Sequence, residues 1–217
     1  MLAIKNAKIM TVTNGIIESG TILIDEGIII SVGESIIIPE EAEIMDATGK
    51  WVTPSLIDIR IYTPSDEIQP WEVSLNREFG FTSIDAVLPH ETTNIAVVRP
   101  LDFVQSKQER WNLQFDKLAL MEQSGIEFCL ARDEKSGPRL HLMMIGMAIA
   151  GGVSFDAALR SVTINPAKLL GREELRGSIE VGKSADIAIF DGSPFLNSSC
   201  CEATVISGVF YKNQMIC

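Results

Sequence analysis

The sequence predicts a mixed fold, α/β plus β: a small β-sandwich made from both ends of the chain, with an α/β segment inserted between them. Three observations carry this. Residues 1 to about 53 read as short β-branched runs separated by turn signals. From Leu56 to about Gly171 the pattern changes to strand, helix, strand, helix, which marks βα units with parallel strands. From about Gly177 the short-strand pattern returns. Terminal β segments that flank an insert can pair into one sheet-rich unit.

In the first part, Ala3–Val12 alternates loosely, and Thr21–Ile24, Ile28–Val32 and Glu43–Met45 are short β-branched runs. Turn signals stand at Asn14-Gly15, Ser19-Gly20, Glu26-Gly27, Pro39 and Thr48-Gly49, where Gly supplies the positive φ that tight turns need. The character changes after Trp51-Val52-Thr53-Pro54. Leu56–Ile61 and Phe81–Leu88 read as buried strands, with a short helix over Trp71–Phe79 between them. Ser106-Lys107-Gln108-Glu109 is a capping box. It opens a helix to Ser124 with Gly125 as its stop, whose apolar face is Trp111, Phe115, Leu118 and Met121. Ile126–Leu130 follows as a strand, then helices over Pro138–Ala150 and Phe155–Ser161, and a last one at Asn165-Pro166 ending at Gly171. The closing strands are Ser178–Glu180, Ala185–Phe190, Ala203–Ile206 and Val209–Tyr211.

Composition bounds the function. The 217 residues hold 18 basic and 29 acidic side chains, a net charge of −11, with 46% apolar residues. That apolar share rules out wholesale disorder. No basic stripe is present, which argues against a nucleic-acid or anionic-membrane surface. The N-terminus lacks a secretory pattern. The longest apolar run, Leu140 to Val153, is shorter than the about 20 residues that span a bilayer. Four cysteines stand without a Cys-x-x-Cys pair. Reduced thiols and a cytoplasmic location are the expectation.

The two flanks resemble those of the amidohydrolase superfamily of metal-dependent hydrolases, in particular its imidazolonepropionase-like members. At the N-terminal end the resemblance lies in Ile4-Lys5-Asn6-Ala7-Lys8-Ile9, Gly20-Thr21-Ile22-Leu23-Ile24 and Asp46-Ala47-Thr48-Gly49-Lys50-Trp51-Val52-Thr53-Pro54-Ser55-Leu56-Ile57-Asp58. At the C-terminal end it lies in Thr163-Ile164-Asn165-Pro166-Ala167-Lys168-Leu169-Leu170-Gly171 and Gly177-Ser178-Ile179-Glu180-Val181-Gly182-Lys183-Ser184-Ala185-Asp186. The resemblance implies a β-sandwich built by the flanks and a central (β/α)8 barrel with a metal site at its strand tips. It divides the chain into a composite β domain, 1–53 plus 172–217, and a βα domain, 54–171. About 112 residues run from Pro54 to Asn165, whereas a closed barrel takes about 200 or more. The expectation is therefore a truncated, partial TIM-type domain of three strands.

In that family the first barrel strand ends in His-x-His, whose imidazoles share one face and reach one metal. Arg60 and Tyr62 stand at those two places. A guanidinium offers no lone pair to a cation. The chain has two histidines, His90 and His141. Of the family's remaining ligands, Asp133 matches the aspartate after the last strand. The expectation is no metal, with Zn as the alternative. Arg60 either pairs with an acid such as Asp58 or Asp133, which is favoured, or binds a small anion or carboxylate together with Tyr62 and His90. His90 is read first as a loop histidine and His141 as a hydrogen-bonded core histidine. Asp133 is read as an inherited ligand without a metal, with an Arg ion pair and a catalytic base as the other options.

Two functions follow. The first is a degenerate amidohydrolase that serves as a small-molecule-binding or structural protein, or as partner of a full-length relative. The second is a hydrolase of carbon–nitrogen bonds in cyclic amides or amidines with an atypical or inter-subunit site. Open strand edges and a mean hydropathy of +0.20 suggest a homo-oligomer, most simply a C2 dimer that joins the open α/β edges.

Overall fold

A computed structural model describes residues 1–61, 80–87, 94–98, 115–132 and 137–213, and for residues 60, 61 and 81–87 the backbone alone. The helix expected over Trp71–Phe79 and the capping box at Ser106–Glu109 lie outside the described residues. Within them the molecule is a sheet-dominated α/β structure. Strands β1 (Leu2–Met10), β2 (Ile16–Asp25), β3 (Ile28–Gly33), β4 (Glu43–Asp46) and β5 (Trp51–Pro54) come from one end of the chain. Strands β10 (Ile187–Phe190), β11 (Cys201–Ile206) and β12 (Val209–Lys212) come from the other. All eight share one sheet in the order β12-β11-β10-β5-β1-β2-β3, with β4 paired to β1.

β5 is the junction of the two ends. It runs parallel to β1, with Ile9 opposite Val52, and antiparallel to β10, with Ile187 opposite Pro54 and Phe190 opposite Trp51. The sequence pattern treats Trp51–Pro54 as a boundary; the structure makes it a strand. Pro54 stands last in the strand, opposite Ile187. β10 is buried along its whole length. Ile187 and Ile189 point into a core with Ile4, Ile9, Ile22 and Val205, while Ala188 and Phe190 point into a second core with Leu56, Phe128 and Ile145. One strand thus faces two cores, which explains why its sequence, Ile-Ala-Ile-Phe, does not alternate with polar residues.

The expected strand at Ser178–Glu180 is a loop. Its side chains tie the two ends instead: Thr13 Oγ1 donates to Glu180 at 2.9 Å, and Lys183 Nζ donates to Ser178 Oγ and to the Glu173 carbonyl, each at 2.6 Å. The segment then covers the outer edge of β3, with Ile29 N–H donating to Lys183 C=O at 2.9 Å and Gly182 N–H to Ile29 C=O at 2.8 Å. This covers the first residues of β3, one way that edge strands are protected. Cys200 is disulfide-bonded, which departs from the expected reduced state; Cys129 and Cys201 are buried free thiols.

The centre holds four described strands, not three. β6 (Leu56–Ile61) pairs in parallel with β7 (Phe81–Val87), and β8 (Ala96–Val98) pairs in parallel with β9 (Phe128–Leu130). These are two separate two-stranded sheets, linked where the Arg132 N–H, two residues past β9, donates to Ile59 C=O at 3.1 Å. Helices α1 (Asp116–Gln123), α2 (Pro138–Ala150) and α3 (Phe155–Arg160) contribute Leu118, Ile145 and Leu159 to the core on the Leu56 side. Helix α4 (Ile164–Leu169) packs Ala167 and Leu169 against Ile57 and Ile59 on the other side. Parallel strands need both faces covered, and these have that. Ser154 caps α3 by accepting from Ala157 N–H at 3.1 Å, and its own N–H donates to Glu122 at 2.9 Å.

The turns of the two chain ends meet back to back. Gly27 (φ +82°) follows β2, and Gly208 (φ +80°) joins β11 to β12. A Cβ on Gly27 would stand 2.7 Å from Ser207 O, and one on Gly208 would stand 2.7 Å from Gly27 Cα. Asp186 fixes this turn by accepting from Ser207 N–H at 2.9 Å. Gly27→Ala or Gly208→Ala therefore adds a backbone clash to a left-handed φ and is expected to cost about 1–3 kcal/mol in urea unfolding. Gly49→Ala, at φ +74° with open space around it, is expected to cost less.

Candidate functional site

The C-terminal tips of parallel strands are where βα proteins place their chemistry. Inside β6 and just past the end of β9 the structure gathers three polar side chains in an apolar surround. Asp58 is 1% exposed, Arg132 is 5% exposed and His141 is 1% exposed. Asp58 reaches this place because β6 alternates: Ile57 and Ile59 face α4, so Asp58 faces α2. Arg132 follows β9 with the parity of Leu130, which faces the same core. His141 lies in the first turn of α2, which Pro138 starts after the extended Gly137.

The geometry fixes the charges. Arg132 Nη2 lies 2.8 Å from Asp58 Oδ2. A buried carboxylate needs compensation by opposite charge, and the guanidinium supplies the cation. His141 Nε2 lies 3.1 Å from the Leu130 carbonyl. A carbonyl can only accept, so Nε2 carries the proton, and in the neutral ring Nδ1 is the unprotonated nitrogen. Nδ1 stands 3.9 Å from Asp58 Oδ1. Burial holds the His141 pKa below its ordinary 6.5, against the opposing pull of Asp58 and of the Leu130 hydrogen bond. Within β9, burial and Glu127 push the Cys129 thiol far above its ordinary value. At the other end of β9, Asn165 Nδ2 donates to the Phe128 carbonyl at 2.9 Å and Lys168 pairs with Glu127 at 2.7 Å.

Of the residues the sequence singled out, Tyr62, His90 and Asp133 lie outside the described residues. Arg60 is described in backbone only, in β6. His141 is a buried, hydrogen-bonded core histidine. The sequence reading missed Arg132 as the partner of Asp58. The available signal was its parity with Leu130 at the end of a strand, but 74 residues separate Asp58 from it along the chain.

The cluster has a clear chemical character. The carboxylate is committed to a guanidinium, and the imidazole is neutral, buried and turned to a backbone carbonyl. Among the described residues, no three His, Cys, Asp or Glu side chains converge to hold a metal ion. Arg132 places a fixed positive charge 2.8 Å from the Asp58 carboxylate, which opposes a cation at that carboxylate. No helix among the described residues is long and apolar enough to cross a membrane.

A model of the family described as "Amidohydrolase family" matches residues 29–214. The chain belongs to the amidohydrolase family. An adenine deaminase of Shewanella halifaxensis is 25% identical over 96% of this chain and 34% of its own length. An adenine deaminase of Listeria welshimeri is 34% identical over 48% of this chain and 17% of its own length. The chain thus spans about a third or less of these curated relatives. An amidohydrolase from Thermotoga maritima superposes with a TM-score of 0.80 at 18% identity, over 99% of this chain and 100% of that one. An enamidase superposes with a TM-score of 0.75 at 15% identity, over 98% of this chain and 96% of that one. These likenesses establish the amidohydrolase fold.

The His141 geometry predicts a pH effect. The unfolded imidazole binds a proton below about 6.5, while the folded one stays neutral to lower pH. Stability is therefore expected to be full above that value and to fall as the pH drops through it. In urea melts at pH 7.5 and about pH 5.5, His141→Gln is expected to lose part of this acid dependence; an unchanged pH difference contradicts the assignment.

Proposed function

We propose that this chain is an amidohydrolase-family protein without a metal-dependent reaction of its own, which binds a small anion or serves as a structural partner. In this reading, residues 1–53 and 172–217 make a composite β-sandwich domain and residues 54–171 a shortened barrel. The observation that carries it is the Asp58–Arg132 pair, 2.8 Å apart and buried. Within β6, two residues before the Arg60 position, the protein balances a buried carboxylate with the positive charge of its own Arg132. Arg60 and Tyr62, at the positions of the family's first two ligands, extend the same change and would suit a small carboxylate. A full-length relative is one partner such a protein could serve.

The family match and the adenine deaminase relatives favour a second reading: a metal-dependent hydrolase of carbon–nitrogen bonds in cyclic amides or amidines, adenine being one. It would need ligands from His90, Asp133 or a second copy. The metal would supply an activated water.

Metal analysis of the dialysed protein, combined with assays of ammonia release from adenine and of ring opening of imidazolone and hydantoin with added Zn or Mn, separates the two. Folded protein with far less than one metal per chain and no turnover is expected. Stoichiometric metal, or turnover that depends on it, overturns the first reading. In the same preparation, small carboxylates are expected to raise the melting temperature of the parent and not of Arg60→Ala; if none does so for the parent, the anion site falls.

A further inference from the structure

We infer that Asn14 is a site of self-modification: its side-chain amide is converted, through a cyclic imide formed with the Gly15 nitrogen, to aspartate and isoaspartate, and the change loosens the β1–β2 hairpin. Asn14-Gly15 is the chain's one Asn-Gly pair. In the turn between β1 and β2, Thr13, Asn14, Gly15 and Ile16 all stand in solvent. Gly15 has φ +78° and open space where a Cβ would be, so no side chain obstructs the approach of its nitrogen to the Asn14 amide. Among the described residues no acceptor takes the Gly15 N–H, which leaves that nitrogen able to give up its proton. The Asn14 amide is held by one long contact, 3.4 Å from Nδ2 to Thr13 Oγ1.

The reaction needs only solvent. The Gly15 N–H loses its proton to hydroxide and the nitrogen attacks Asn14 Cγ. The N–Cγ bond forms, the Cγ–Nδ2 bond breaks, and Nδ2 takes a proton and leaves as ammonia. Water then adds to one of the two ring carbonyls and opens the imide. One opening gives aspartate; the other gives isoaspartate, whose main chain runs through the side-chain methylene. Nothing is oxidised or reduced.

The fold distinguishes this pair from others. Asp191-Gly192 can close the same ring, but Asp191 Oδ1 accepts from Cys200 N–H at 2.7 Å, and a Cβ on Gly192 would stand 2.7 Å from Ser199 Oγ. Asn6 Nδ2 donates to Asp46 Oδ1 at 3.2 Å, and Asn213 Nδ2 donates to the Cys201 carbonyl at 2.8 Å. Asn165 precedes Pro166, which has no N–H to give up.

The same turn holds strain. Val12 has φ +77°, a conformation that a β-branched residue rarely takes. Thr11 Oγ1 closes the turn by donating to the Gly15 carbonyl at 2.7 Å and accepting from Asn14 N–H at 2.9 Å, and Arg160 of α3 donates to the Val12 carbonyl at 2.8 Å. Isoaspartate lengthens the path from the Asn14 N–H to the Gly15 carbonyl by one carbon, so the two no longer meet Thr11 in this geometry. Val12 is then released from a conformation that its surroundings had imposed. Either product also adds a negative charge to a chain that carries −11, in a turn bonded to Glu180 through Thr13.

Incubation of the folded chain for days in mildly alkaline buffer tests this. Trypsin releases Ile9–Lys50, which holds one asparagine and no glutamine, so an amide lost from this peptide is lost at Asn14. The parent is expected to accumulate a species with one more negative charge, with the mass gain of an amide turned to an acid on that peptide and isoaspartate detected in it by enzymatic methylation. Asn14→Gln is expected to leave the peptide unchanged. The isolated acidic species is expected to melt below the parent. A peptide that keeps its mass in the folded chain while it converts in urea shows that the turn protects Asn14, and overturns the inference, as does a peptide that converts in neither. An acidic species that melts with the parent overturns the loosening of the hairpin.

Discussion

A carboxylate that is 1% exposed needs a partner, and the contact between Asp58 and Arg132 is what organises the centre of this molecule. Asp58 sits on the inner face of β6 because the strand's alternation sends Ile57 and Ile59 the other way. Left alone there, the charge would cost several kcal/mol. Arg132 compensates it from the tip of β9, and the same residue's N–H bonds to the Ile59 carbonyl. Side chain and backbone thus join the first and last central strands at one point. His141 adds α2 to the junction through the Leu130 carbonyl.

The sheet built from both chain ends provides the platform for that junction. β10 is shared between two cores, and Phe190 closes over Gly80, where a Cβ would lie 2.8 Å from the ring. Ser55 N–H donates to the Asp186 carbonyl at 2.9 Å, so β6 starts its course tied to the segment that leads into β10. The position of Asp58 therefore follows from the outer sheet through a short, bonded path. The proposed function rests on this chain of constraints: the buried charge of Asp58 is balanced within the protein.

Much of this architecture was legible in the residues. The limits of β6 and α2 follow from Leu56–Ile61 and from Pro138 to Gly151, because breakers bound both segments. The return of β pattern after Gly177 placed the two ends in one sheet-rich part. β5 was hidden because Pro54 and the change of pattern at Trp51 look like punctuation, and its strand character comes from β10 beside it. β8 is three residues long, too short for a period to show. The Ser178–Glu180 loop has strand-like composition, but its hydroxyl and carboxylate bond to Lys183 and Thr13 rather than to a ladder. The site was half legible. His141 reads as a core histidine on an apolar helix, whereas the Asp58–Arg132 pair is a contact between distant strand ends that only the tertiary fold brings together.

A double-mutant cycle on the pair tests the account most directly. Asp58→Asn, Arg132→Met and the combined variant would be compared with the parent by urea unfolding. The account predicts that the double variant is more stable than the summed single losses imply, with a coupling energy of about 1–3 kcal/mol. Losses that simply add, within about 0.5 kcal/mol, would show that the two charges do not depend on one another, and would contradict it.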